Sequence, residues 1–169
     1  MPSPELEQRR QAIVQEHMDS EGRGDFEATI QTFHHPRYEV VATDEEHDGA
    51  DALRLFYAET SKAFPDFRFE NATFHHAADA VLTEVDFVGT HLGMWRGLPA
   101  TGRKVRYRMC NVFVFDGDKL ICERLHFDLH TVLMQVGIAR DPTTLMGQLT
   151  TFANHPLHVS ASFLRSLRG

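Results

Sequence analysis

The chain has 169 residues, 42% of them hydrophobic and 24% charged, which fits one globular domain with a real core and argues against disorder. Its formal net charge is −7 and no Lys/Arg run interrupts it, so the surface needed to neutralise nucleic-acid phosphates is missing. Nothing approaches the roughly 18 consecutive apolar residues of a membrane span, and the polar start MPSPELEQRRQ carries no apolar leader core.

Residues 4–20 read as a helix, with Pro4 near its start and an apolar stripe of Leu6, Ile13, Val14 and Met18. Gly22 and Gly24 interrupt it, and Asp25 can cap a second helix through Thr32. After Pro36, the stretch from Tyr38 to Ala42 reads as a short strand. A helix then runs to Phe64, with Leu53, Phe56, Tyr57 and Thr60 at helical spacing, and Pro65-Asp66 ends it.

From there the chain is β. Strands are predicted over 67–75, 80–90, 104–115 and 120–128, the last two forming a hairpin about Asp116-Gly117-Asp118. That hairpin puts Cys110 near His126 and Cys122 near Val114, so the two cysteines stay reduced, as suits the cytoplasm. The loop His91–Arg103 holds three glycines and Pro99, a composition that suits a lid. A short helix over 131–136 closes on Gly137, and helix resumes after Pro142 with a break at His155-Pro156. Helices first and strands after give an α+β fold, with helices laid on one face of a sheet.

Several stretches in this order carry a family likeness: Glu21-Gly-Arg-Gly-Asp-Phe, Ala63-Phe64-Pro65-Asp66, Gly89-Thr90-His91-Leu92-Gly93, Gly97-Leu98-Pro99-Ala100-Thr101-Gly102-Arg103, and Phe127-Asp128-Leu129 followed by Gln135-Val136-Gly137. The chain resembles the SnoaL-like polyketide cyclases, a branch of the nuclear-transport-factor-2-like superfamily, over about residues 10–138. The resemblance implies a cone-shaped, curved antiparallel sheet around an apolar pocket, a small hydrophobic ligand, a homodimer and no cofactor. On this reading residues 1–138 form the cone domain. Residues 139–169, with Leu145, Leu149, Phe152, Leu157, Phe163, Leu164 and Leu167, form a helical extension packed on it or on a dimer partner.

Strand periodicity sorts the candidate site residues. On the 80–90 strand one face carries Glu84 and Asp86, two carboxylates close enough for one to keep its proton if both point inward; facing solvent is the alternative. On the next strand Tyr107, Met109, Asn111 and Phe113 share a face that suits a pocket wall. Tyr38 is placed at the rim, and His91 and Trp95 come from the long loop. The cyclase resemblance implies a general acid/base Asp on the last strand, at a position matching either Leu125 or Asp128; His126 and Asp128 are the next candidates for the base, and Leu125 and Phe127 for substrate contact. The limonene-epoxide hydrolases of this superfamily use an Asp-Arg-Asp set. Glu84-Val85-Asp86 and Leu125 keep one Asp and lose the other two members, which disfavours epoxide opening. His126, Asp128 and His130 would share a face only if the strand ran that far, so no metal is expected.

Three functions follow from these residues. The first is acid/base catalysis on a hydrophobic carbonyl compound, with Asp86, Glu84, His126 or Asp128 as base and Asn111 or Tyr107 steadying the enolate. The second is a non-catalytic binder of an apolar metabolite, which Leu125 favours. The third is a scaffold whose pocket is filled by its own phenylalanines.

Overall fold

The computed structural model describes residues 2–166. Helix α1 spans Pro4–Gly22, capped by Ser3, whose hydroxyl accepts from the Leu6 amide, with Pro4 at the first helical position. Helix α2, Phe26–Gln31, is capped by Asp25 through the Ala28 amide. Strand β1, Arg37–Val40, pairs with β2, Glu45–Asp48, and α3, Ala50–Ala63, follows. The long strands are β3 (Arg68–His76), β4 (Ala80–Thr90), β5 (Lys104–Asp116) and β6 (Lys119–Phe127). Helices α4 (Leu129–Gln135), α5 (Leu145–Asn154) and α6 (Pro156–Ser166) complete the chain.

The strand after Pro36 is shorter than its sequence suggests, because a 3-10 turn takes over at Val41. Strand β2 leaves no apolar trace: Glu45-Glu46-His47-Asp48 is an edge strand whose only sheet partner is β1. The six strands lie in the order β2-β1-β6-β5-β4-β3, antiparallel except where β1 runs parallel to β6. A register shift between Glu70 and Thr73, with Asn71 at φ 58°, and another between Val114 and Phe115 bend the sheet. The α+β architecture, a curved sheet with N-terminal helices on its concave face, is the one expected.

The β4–β5 register puts Val81, Thr83, Val85 and Phe87 opposite Phe113, Asn111, Met109 and Tyr107, and these eight form the inner face. Helices α1 and α3 close over it with Val14, Met18, Leu53 and Tyr57. Both cysteines are free; Cys110 pairs in register with His126 and Cys122 with Val114. Among the described residues no helix is long and apolar enough to cross a membrane.

The tail is helical, as expected, and the large apolar side chains described in it face outward. Leu145, Leu149, Phe152 and Leu157 are all more than half exposed, so this stripe does not pack on the cone, and among the described residues none from the tail lines the cavity described below. The side chains of Phe163 and Leu164, and Leu167 as a whole, lie outside the described residues.

Candidate active site

Helix α1 carries an anomaly inside its buried face. Arg10, Val14, His17, Met18 and Glu21 recur at helical spacing and all are buried, so a charged triad shares the apolar stripe. Arg10 is explained by packing: it donates to the carbonyls of Gly117 (2.8 Å) and Ala78 (3.0 Å) and lies over the Phe115 ring. His17 and Glu21 instead point to the interior of the cone, where they meet Glu123 from β6.

The cluster is closely wired. His17 Nε2 lies 3.0 Å from Glu123 Oε2 and 3.6 Å from Glu21 Oε2, and His17 is fully buried. Nδ1 sits 2.8 Å from the Thr32 hydroxyl, which gives its own proton to the Thr29 carbonyl at 2.7 Å. Thr32 can therefore only accept from the ring, which makes Nδ1 a donor and directs the Nε2 chemistry at the carboxylates. The Tyr38 oxygen accepts from Tyr57 (2.6 Å), lies 2.8 Å from Nε2 and donates to Glu21 (3.2 Å), so all its capacity is used. Tyr38 arrives there because β1 pairs with β6 at Tyr38↔Glu123.

Burial alone would depress the His17 imidazole, but the Glu123 and Glu21 charges outweigh it and hold the ring at about 9. Burial pushes the Glu21 carboxyl up, against the opposing pull of His17. The phenols of Tyr38 and Tyr57 are likewise raised by burial, then by the two carboxylates, and stay protonated donors. The arrangement is an imidazolium between two buried carboxylates, one of them favoured to carry a proton.

Glu21 and Glu123 form the polar floor of a cavity. Its walls are aromatic, with Phe56, Phe64, Phe69, Phe87, Trp95 and Phe127, and Tyr107, Met109 and Leu125 complete the sheet side. Phe87 stacks on Tyr107 with centroids 4.9 Å apart. Asn111, 2% exposed, adds an amide whose Oδ1 is buried without a partner. The space open to the centre of a water molecule is about 60 Å³, a narrow slot holding roughly four waters.

Of the residues expected at the site, Trp95, Tyr107, Met109, Asn111, Leu125 and Phe127 line this slot. The four expected catalytic groups do not. Glu84 and Asp86 occupy the outer face of β4, since the residues paired with the inward Asn111 and Met109 are Thr83 and Val85. Asp86 accepts from Asn71 (2.9 Å), Arg106 (2.8 Å) and Arg108 (2.8 Å); Asn71 first, then Arg108, holds its carboxyl below the usual range. Glu84 is exposed between Arg108 and His75. His126 follows Cys110 to the outer face, and Asp128 is the exposed N-cap of α4, accepting from His130 and Thr131. Strand β6 ends at Phe127, so His126 and His130 do not share a strand face.

Tyr38 is no rim residue either. It is fully buried behind the floor, bonded to Tyr57, Glu21 and His17. His91 is fully buried outside the slot and ties the loop ends together, with its amide on the Arg103 carbonyl and its carbonyl on the Gly102 amide. The loop is docked rather than free: Leu92 and Gly93 donate to the Ala63 carbonyl, and a Cβ on Gly93 would stand 2.0 Å from the Lys62 oxygen.

His17, Glu21, Tyr57 and Glu123 were not expected at the site. The signal was present: His17 and Glu21 interrupt an apolar helical stripe, and Glu123 pairs in register with the inward Phe113. Among the described residues, His17, Glu21 and Glu123 are also the set with metal-ligand chemistry, their atoms lying within 4.8 Å of one another. Here the imidazolium already supplies the compensating positive charge.

The fold is shared with solved structures at low identity. AclR, a candidate hydroxylase from Streptomyces galilaeus, superposes with a TM-score of 0.68 at 22% identity, covering 94% of each chain. A candidate polyketide cyclase from Xanthomonas campestris pv. campestris gives 0.71 at 16% identity, over 78% of this chain and 99% of its own. A phenazine biosynthesis-related protein from Pseudomonas aeruginosa gives 0.70 at 18%, over 87% and 92%. No curated protein matches the sequence. The sequence pattern of the SnoaL-like polyketide cyclases covers residues 12–136, and the chain belongs to that family.

Proposed function

We propose that this protein is a cofactor-independent acid/base enzyme that cyclises or isomerises a flat hydrophobic carbonyl compound of the polyketide type. The observation that carries the reading is the pair of buried carboxylates, Glu21 and Glu123, forming the floor of a largely aromatic slot, with His17 as their ion partner among the described residues.

In this mechanism Glu123, as carboxylate beside the His17 imidazolium, takes a proton from the carbon next to the substrate carbonyl. The electron pair moves onto the carbonyl oxygen, which receives a hydrogen bond from the protonated Glu21. Burial favours the protonated form of Glu21, as a donor to an enolate requires. Attack of the enolate carbon on a second carbonyl of the same molecule closes a ring, and the new alkoxide takes back the proton held by Glu123. The product is an isomer of the substrate. Reprotonation at a different carbon gives isomerisation from the same groups. Thr32 accepts from Nδ1 and fixes the orientation of the His17 ring, and the aromatic walls exclude water from the charged floor.

A second reading, a binder without turnover, is favoured by Leu125, which puts an apolar side chain in the slot at one of the two positions matching the family's acid/base Asp. Deuterium uptake at the methyl carbon of 6-methoxy-2-acetylnaphthalene, followed by NMR in heavy water, separates the two. The catalytic reading expects wild type to accelerate exchange and Glu123→Gln to lose at least about a hundredfold of that acceleration. Binding without acceleration would leave only the binder.

A further inference from the structure

Beyond the slot the cavity widens into a second space. The two spaces share Phe56, Thr60, Trp95 and Arg96 in their linings. In volume open to the centre of a water molecule, the outer chamber holds about 570 Å³ against 60 Å³ inside. The slot is aromatic with carboxylates at its floor, whereas the chamber is bounded by Glu45, His47, Glu59 and Lys62.

The wall the two spaces share is built on a hydrogen-bonded turn. Trp95 and Leu98 exchange both backbone hydrogen bonds about a two-residue turn, with Arg96 at φ 50° and Gly97 at φ 77°. Arginine is a costly choice at the first of these positions. It is held there by a fork on Glu45, at 2.5 and 2.6 Å, with the Thr43 hydroxyl 3.3 Å away. Arg96 and Glu45 thus satisfy each other and act as wall.

What remains to meet a ligand is Glu59 and Lys62. They are exposed, three residues apart on α3, and neither has an ion pair among the described residues. His47 adds a buried Nε2 without a hydrogen bond, 3.9 Å from Glu45. One carboxylate and one ammonium cancel in charge while offering acceptors and donors together. Hydroxyl groups, which both donate and accept, match that set; a charged group would meet repulsion from one side.

We propose that the outer chamber is a second subsite, which takes an uncharged, hydroxyl-rich arm of a ligand whose planar apolar head fills the slot. It rests on the slot being the ligand site, but not on catalysis there. The substrate class becomes a flat carbonyl compound bearing a sugar-like or polyol substituent at the end remote from the reacting carbonyl.

Calorimetric binding of two probes tests this: 6-methoxy-2-acetylnaphthalene and the corresponding 6-O-β-D-glucoside, which differ only in the arm. The glucoside should bind about tenfold more tightly. The double variant Glu59→Ala/Lys62→Ala, both positions exposed, should abolish that advantage and leave the methyl ether within about twofold. A glucoside that binds no more tightly than the ether, failure of both to bind included, overturns the proposal, as does a variant that weakens both alike. A protein that prefers the glucoside yet never accelerates deuterium exchange refutes the catalytic reading alone.

Discussion

Two pairs of carboxylates sit on opposite faces of one sheet, and their fates differ completely. Glu84 and Asp86 lie on the convex face, where Arg106 and Arg108 reach Asp86 and Arg108 extends to Glu84. Asp86 has little exposed surface, but what covers it is the arginine side chains, so its charge is compensated at once. Glu21 and Glu123 lie on the concave side with no arginine or lysine among their ion partners, sharing a single imidazole and two phenols. Asp86, in the outer pair, is held below the usual carboxylate range by Asn71 and Arg108. In the inner pair burial raises the Glu21 carboxyl, and a carboxyl poised to keep its proton suits acid/base work. Strand parity for Glu84, Asp86 and Glu123, the buried face of α1 for Glu21, and the choice of counter-ion, arginine outside and histidine inside, produce the difference.

The comparison breaks most sharply at His17. His17→Leu leaves two buried carboxylates without their cation and should cost about 3–5 kcal/mol in chemical denaturation, whereas a loss under about 1 kcal/mol would mean that the cluster is solvated. Next comes Gly93→Ala, whose methyl group collides with the Lys62 carbonyl. Peeling the loop from α3 should cost roughly 1–3 kcal/mol, and backbone amide exchange at Leu92 and Gly93 should rise.

Asn111→Leu sharpens the division between stability and function. Removing a buried carbonyl oxygen without a partner should leave the melting temperature unchanged or raise stability by about 1 kcal/mol, while catalysed deuterium exchange falls. The pH dependence is smaller. His17 is raised in the folded protein from 6.5 to about 9, so its contribution is complete below pH 6.5 and drains away as pH rises through about 9. Glu21, also raised, acts in the same direction. Thermal midpoints across pH 6 to 10 should show that decline, moved to lower pH in Glu123→Gln. Smallest of all is Asp86→Asn: exchange activity should stay within about twofold of wild type, and a larger loss would return the outer pair to consideration.

Most of the framework was legible in the sequence. Pro4 at the start of α1, the cap at Asp25, the turn at Gly117 and the alternation of β4 and β5 each act within a few residues, so their signals are local. Strand β2 was not legible, because an all-polar edge strand has no hydrophobic period to display. The slot wall from Tyr107 to Asn111 was legible as one apolar face. The acidic pair was misassigned because a strand alone does not say which of its faces is buried; the neighbour's register does. Carried one step further, the pairing that sets Cys110 beside His126 turns His126 outward with it. His17 and Glu21 escaped notice for a different reason. Their role depends on Glu123, which is distant in sequence, and a charged residue inside an apolar helical stripe looks like an imperfection until its partner is known.

The parallel pairing of β1 with β6 has a consequence for the order in which the domain assembles. It joins Tyr38 to Glu123 and Glu39 to Arg124 across some eighty-five residues, so the loop it closes contains nearly every other strand. Such a contact forms only after nearer pairings have shortened the effective loop. During synthesis, α1 with His17 and Glu21 emerges first and waits until β6 has left the ribosome. The topology therefore implies that the charges of the floor stay hydrated through most of folding and lose their water only when the cone shuts, at the step that also creates the slot.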